Sequence, residues 1–175
     1  MYKGFYENFC ILVDTREKKY KHLTDVWDKK KIKWKNKKLD SGDYSFEIDC
    51  IDFQNEIAIE RKSSIDELCN NFAAGRERFK REFIRAKEKG KYIFLLIENA
   101  TIQDIYNHNY KSRFNNKALL GSIKSWKEKY NIYVVFSEKI ATADYIAYIF
   151  KRYIRNVLID SSVKKGLIEI TEEIK

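Results

Sequence analysis

Glu60 and Lys62 stand two residues apart in the segment NEIAIERK. In a strand that spacing puts both side chains on one face and Ile57, Ile59 and Arg61 on the other. Three further places set acids beside short apolar runs: Asp14 and Glu17 after CILV, Asp43 directly after Ser41-Gly42, and Asp66 at the opening of SIDELC. Taken singly each is ordinary surface chemistry, and Asp66 alone would stabilise a helix start by only about 0.3–1 kcal/mol. Together they form a set that could hydrolyse a phosphodiester. Hard carboxylate oxygens hold Mg²⁺, the ion polarises the phosphoryl group and acidifies its water, and an ammonium beside them stabilises the negative charge that develops.

These groups need rigid elements behind them. Cys10 to Asp14 reads as a buried strand that delivers Asp14 and the following Thr-Arg-Glu to its rim. A short helix around Leu23 to Lys30 follows, then a strand in KIKWKNKKL with Ile32 and Trp34 opposite a solvated face of Lys33, Lys35 and Lys37. Ser41-Gly42 turns the chain into DYSF, and the stretch from Asp49 to Gln54 suggests a hairpin leading into NEIAIERK. Ser63 or Ser64 can cap the next helix, and GRERFKREFIRAKEK continues it with Phe72, Phe79, Phe83 and Ala86 on one face. KYIFLLIE and IYVVF are buried strands, separated by a helix striped with Leu119, Leu120, Ile123 and Trp126. A long helix from Ala141 to Leu158 is expected to turn Tyr145, Ile149, Tyr153 and Val157 inward, with a tail from Gly166 that is either an edge strand or a loose end. The order indicates one α/β domain with a mixed central sheet flanked by helices.

Composition narrows the partners. The chain of 175 residues carries 35 Lys and Arg against 26 Asp and Glu, a net charge of +9, which favours a polyanion. Lys18 to Lys38 holds ten lysines against Asp25 and Asp28, so one segment concentrates nearly the whole surplus. The second basic stretch, from Arg76 to Lys91, alternates with acids and is equally an ion-paired solvated helix. Three cysteines without metal-ligand spacing and two histidines leave little for a zinc site or a disulfide framework. With no leader-like start and no apolar run approaching 18 residues, a soluble protein of a reducing cytoplasm is expected. Tyr44, beside Asp43, either packs under the acidic site or stacks on an unpaired base, packing being the more ordinary role.

From Val13 to Asp66 the residues carry a family resemblance: Asp14-Thr15-Arg16-Glu17, then Gly42-Asp43-Tyr44, then Glu60-Arg61-Lys62-Ser63-Ser64-Ile65-Asp66. In that order they resemble the XPF-type structure-specific nucleases, and with Gly75-Arg76 and the later strands the likeness spans roughly residues 9–137. The resemblance implies a restriction-endonuclease-like fold and a Mg²⁺- or Mn²⁺-dependent endonuclease acting on branched, forked or flapped DNA, in repair or recombination. It implies Asp43 and Glu60 as principal metal ligands, with Glu17 or Asp14 completing or supporting the cage. Lys62 would orient or activate the attacking water. Arg16 and Arg61 either contact the scissile phosphate or pair with neighbouring acids, and Asp66 would accept from Lys62 or Arg61.

The chain lacks the tandem helix-hairpin-helix module that family members commonly append, so 1–175 is expected as a single nuclease domain. Its DNA grip is then expected from Lys33, Lys35 and Lys37, from Arg76 and Arg78, from a homodimer, or from a separate DNA-binding protein. The small lysine-rich format also resembles a phage or mobile-element protein working in its host's cytoplasm. Two other readings stand beside the nuclease: a catalytically idle DNA-binding or partner-docking domain, and a nuclease for four-way junctions, plain duplex or RNA.

Overall fold

The computed structural model describes residues 8–173, with side chains described as far as Val157. Its elements are β1 (Phe9–Asp14), α1 (Lys21–Lys29), β2 (Lys33–Lys37), β3 (Tyr44–Ile48), β4 (Ile51–Asp52), β5 (Ile57–Lys62), α2 (Ile65–Phe72), α3 (Arg76–Glu88), β6 (Tyr92–Glu98), α4 (Ile102–Tyr106), α5 (Asn116–Tyr130), β7 (Tyr133–Ser137) and α6 (Thr142–Glu173). The sheet runs β2-β1-β3-β5-β6-β7, with β4 pairing β3 outside that path. β1 and β2 are parallel and joined through α1, β3 is antiparallel to both β1 and β5, and β5, β6 and β7 are parallel.

Helices cover both faces. Ala58, Leu95 and Ile97 pack with Phe72, Phe79, Phe83, Leu119 and Trp126 on one side. Ile11, Val13, Phe46, Ile57 and Ile59 pack with Trp27, Ile146 and Phe150 on the other. The result is the mixed α/β layer architecture of restriction endonucleases. β5 is buried along its whole length, because alternate residues feed the two cores until Glu60 and Lys62 replace apolar side chains at its C-terminal end.

Two local readings change. The turn between β3 and β4 consists of Asp49 and Cys50, both at positive φ (50° and 66°), the backbone a two-residue hairpin turn needs; neither residue is a glycine, so the sequence does not announce it. On α6 the inward face is Ala143, Ile146, Ala147, Phe150 and Ile154, with Ile149 buried as well, whereas Tyr145, Tyr148 and Val157 are exposed. That helix is apolar or aromatic around much of its circumference, so a spacing of four fits more than one phase. The tail from Gly166 continues α6 as helix to Glu173; its side chains lie outside the described residues. Among the described residues no helix is long and apolar enough to cross a membrane.

Candidate active site

Gly42 makes the site possible. It sits at φ 79°, and a Cβ there would come within 2.8 Å of Ala58 Cβ and 3.1 Å of the Ile59 carbonyl. Only glycine lets the Ser41-Gly42 turn lie flat on β5. Asp43 is then fixed from both sides: its N–H donates to Ile59 O at 2.8 Å and its carbonyl accepts from Asp14 N–H at 2.8 Å. Asp43 Oδ2 accepts the Arg61 backbone N–H at 2.7 Å. Lys62 Nζ donates to Glu60 Oε1 at 2.7 Å.

Asp43, Glu60 and Lys62 line one cleft of about 390 Å³ together with Glu17, Glu67 and Glu82 and the cations Arg16, Lys18, Lys19, Arg78 and Arg85. The acids feel one another there. Burial, and next the Glu60 carboxylate, push the Asp43 carboxyl well above the usual aspartate range. Burial and Glu60 likewise raise Glu82. For Lys62 burial alone would favour the neutral amine, but Glu60 and Asp43 outweigh it and hold the ammonium. Among the described residues no group of three or more Asp, Glu, His or Cys side chains is placed to hold a metal ion.

The other anticipated residues divide. Asp14 is 1% exposed, and its carboxylate accepts from Arg16 N–H, Arg16 Nε and Leu39 N–H, each at 2.7 Å. Burial would raise its pKa, but these donors outweigh it and lower it; the group braces the strand end. Arg16 reaches Asp14 and the Leu39 carbonyl at 2.7 Å while remaining largely exposed at the rim. Glu17 lines the cleft and accepts Lys19 N–H at 2.7 Å. Arg61 lines the inner wall of the cleft, its guanidinium turned toward β6, where it meets Glu98 at 2.5 Å. Asp66 does not line this cleft: it accepts Lys111 and Ser112 N–H at 2.9 and 2.6 Å, tying that loop to α2.

Of the basic residues, Arg78 lines the cleft, whereas Arg76 lies over the Trp126 ring, 5.6 Å from its centroid. Lys33, Lys35 and Lys37 lie on the edge strand outside the cleft; Lys35 pairs with Glu47 at 2.6 Å and Lys37 with Asp52 at 2.5 Å. Tyr44 is fully buried against Trp27, which leaves its ring no access to a base. Sequence reasoning missed Glu67, Glu82 and Arg85. Glu82 and Arg85 share a helix face with Arg78 at offsets of four and seven, a periodicity that could have been read once Arg78 was singled out.

Compared by sequence, residues 13–149 match the ERCC4 domain. No curated protein matches the chain by sequence. Among solved structures it is similar to XPF from Aeropyrum pernix, at 20% identity and TM-score 0.62 over 82% of this chain and 61% of that one. It is equally similar to XPF from Aeropyrum pernix in complex with DNA, at 20% identity and TM-score 0.62 over 84% of this chain and 66% of that one. The chain thus spans less than two thirds of either structure, and the likeness is one of fold. With the ERCC4 match covering the strands and helices that build the cleft, the chain belongs to the ERCC4 domain family.

Proposed function

We propose that the protein is a divalent-metal-dependent endonuclease that hydrolyses phosphodiester bonds in branched, forked or flapped DNA. The observation that carries this reading is the meeting of Asp43, Glu60 and Lys62 in one cation-rimmed cleft. Two carboxylates are a sufficient protein share for Mg²⁺, which keeps waters and substrate phosphates for its other positions, and the elevation of Asp43 by burial and by the neighbouring Glu60 includes a repulsion that a cation would relieve. Asp43 and Glu60 would hold the ion, which when bound supplies Lewis acidity at the phosphoryl group and a more acidic water. Lys62, kept as an ammonium, orients that water or stabilises the developing phosphorane charge rather than removing a proton. Arg16, Lys18, Lys19, Arg78 and Arg85 at the cleft receive the phosphate backbone without reading sequence.

A second reading, a catalytically idle DNA-binding or partner-docking domain, is favoured by the lack of a three-acid metal group among the described residues. One experiment separates the two. The purified protein is incubated with Mg²⁺ or Mn²⁺ and with flap, fork, four-way junction, duplex, single-stranded DNA and RNA, beside Asp43→Asn and Lys62→Ala. Cleavage of forks or flaps that both variants lose supports the nuclease. Tight fork binding with no cleavage of any substrate supports the idle domain, and full activity in either variant sinks the proposed site.

A further inference from the structure

Arg61 belongs to the same tripeptide as Glu60 and Lys62, yet its guanidinium points away from theirs, to the back wall of the cleft. Its NH1 donates to Glu98 Oε2 at 2.5 Å, and its NH2 donates to the Lys19 carbonyl at 2.9 Å and to Glu17 Oε1 at 3.3 Å. Glu98, the last residue of β6, is 2% exposed. Its other oxygen lies 2.6 Å from His22 Nε2, and because a carboxylate only accepts, that nitrogen carries the proton. Two elements thus converge on one buried carboxylate: β5 through Arg61, and the first turn of α1 through His22. The segment Glu17-Lys18-Lys19 is held by Arg61 at both of its ends and leads directly to His22, and all three of its residues line the cleft.

We propose that Glu98 is a positioning residue: through Arg61 and His22 it holds the Glu17–Lys19 segment at the mouth of the cleft, so that Lys18 and Lys19 meet a nucleic-acid phosphate backbone in a fixed place. The inference rests on the nucleic-acid reading of the cleft and not on catalysis. A short exposed segment with two adjacent lysines has many conformations to lose on binding. Tethers at Lys19 O, Glu17 and His22 remove much of that loss before the polyanion arrives. A buried Arg–carboxylate pair suits this work, since disrupting it leaves a charge without its partner.

The test compares Glu98→Gln, His22→Asn, the double substitution Lys18→Ala/Lys19→Ala, and the latter combined with each of the first two. Amide hydrogen exchange of residues 15–22 and the affinity for a fluorescein-labelled flap duplex in EDTA are measured, so that neither readout needs cleavage. Expected are at least tenfold faster exchange confined to residues 15–22 in Glu98→Gln and a 5–10-fold weaker affinity. The loss caused by Lys18→Ala/Lys19→Ala should shrink in the Glu98→Gln background, because lysines already misplaced have less to lose. Equal losses in both backgrounds, or unchanged exchange, overturn the proposal. If Glu98→Gln instead loosens the whole protein, His22→Asn decides: exchange raised only over residues 15–22 supports the proposal, and unaltered exchange overturns it. An unsubstituted protein that binds the flap but never cuts it with Mg²⁺ would count against the nuclease and leave this outcome standing.

Discussion

Lys62 donates to Glu60 across 2.7 Å on one face of β5, with both side chains almost wholly out of solvent. Asp43 adds a second negative charge, and the two acids outweigh the effect of burial, raising the lysine above its usual 10.5. A base raised in the folded state contributes stability that is complete below the unfolded value and disappears as pH climbs through the folded one. Lys62 is therefore an ammonium throughout the neutral and mildly alkaline range. The expected pH–rate profile shows no limb from Lys62 below pH about 10. Lys62→Ala should slow cleavage roughly 10²–10³-fold and cost about 3 kcal/mol of stability by stranding Glu60. A limb below pH about 9 that vanishes in Lys62→Ala would make the lysine a proton acceptor instead.

Asp43→Asn should stabilise the metal-free protein. Burial and Glu60 raise this acid from its usual 3.8, so the folded form loses stability as pH rises from there through the folded-state value. Asparagine can still accept the Arg61 N–H but carries no charge. A gain of about 0.5–2 kcal/mol is expected at pH 7, roughly 2–6 °C in a thermal melt, shrinking toward pH 4. Added Mn²⁺ should raise the melting temperature of the unsubstituted protein and leave Asp43→Asn unmoved. An equal metal response in both would remove Asp43 from the ligand set.

Much of this site was legible in the sequence because its positions follow from local rules. An i, i+2 pair in a strand shares a face, which groups Glu60 with Lys62, and an acid after Gly42 sits where the chain turns onto the sheet; that Asp43 belongs with that pair came from the family resemblance. Side-chain direction across the fold was not legible. Arg61 alternates away from Glu60, as its spacing dictates, but only the arrangement of β6 and α1 shows that Glu98 and His22 wait there. Asp66 sits three residues beyond Glu67's partner Ser63, and the helix start turns Glu67 toward Lys62 and Asp66 toward the loop at Ser112. Lys35 and Lys37 looked free because their partners, Glu47 and Asp52, come from other strands. The phase of α6 failed for a related reason: tyrosines and isoleucines on neighbouring faces give a periodicity with no single minimum.

Gly42→Ala tests the turn. Positive φ and a Cβ contact of 2.8 Å with Ala58 act together, and the neighbouring Asp43 N–H is tied to Ile59, which prevents the turn from lifting away cheaply. The expected loss is about 2–4 kcal/mol in urea unfolding. Gly42→Ala combined with Ala58→Gly removes the Cβ–Cβ clash and should recover part of the loss, leaving the cost of the backbone angle and of the 3.1 Å approach to the Ile59 carbonyl. No recovery would mean the Ala58 contact contributes nothing and the backbone angle and the Ile59 carbonyl set the requirement.

Lys91 lies beneath the same turn, its Nζ donating to the Ser41 hydroxyl at 2.9 Å and the Ser41 carbonyl at 3.3 Å. Burial lowers it from 10.5 to about 8, against the opposing pull of Asp40. Here the sign reverses: a base lowered in the folded state costs stability below the folded value, about 3 kcal/mol, and that cost is relieved as pH rises from about 8 toward 10.5. Lys91→Met should therefore be the more stable protein at pH 7, and its advantage should narrow by about 2 kcal/mol at pH 9.5 in urea titrations. A gap that stays constant between the two pH values would show that packing, not charge, separates the variants. Methionine also removes the clasp on Ser41, which carries Gly42 and Asp43, so the stabilised variant is expected to cut DNA more slowly. Lys91→Arg keeps a cation and donors at that place and should recover rate without the gain in stability.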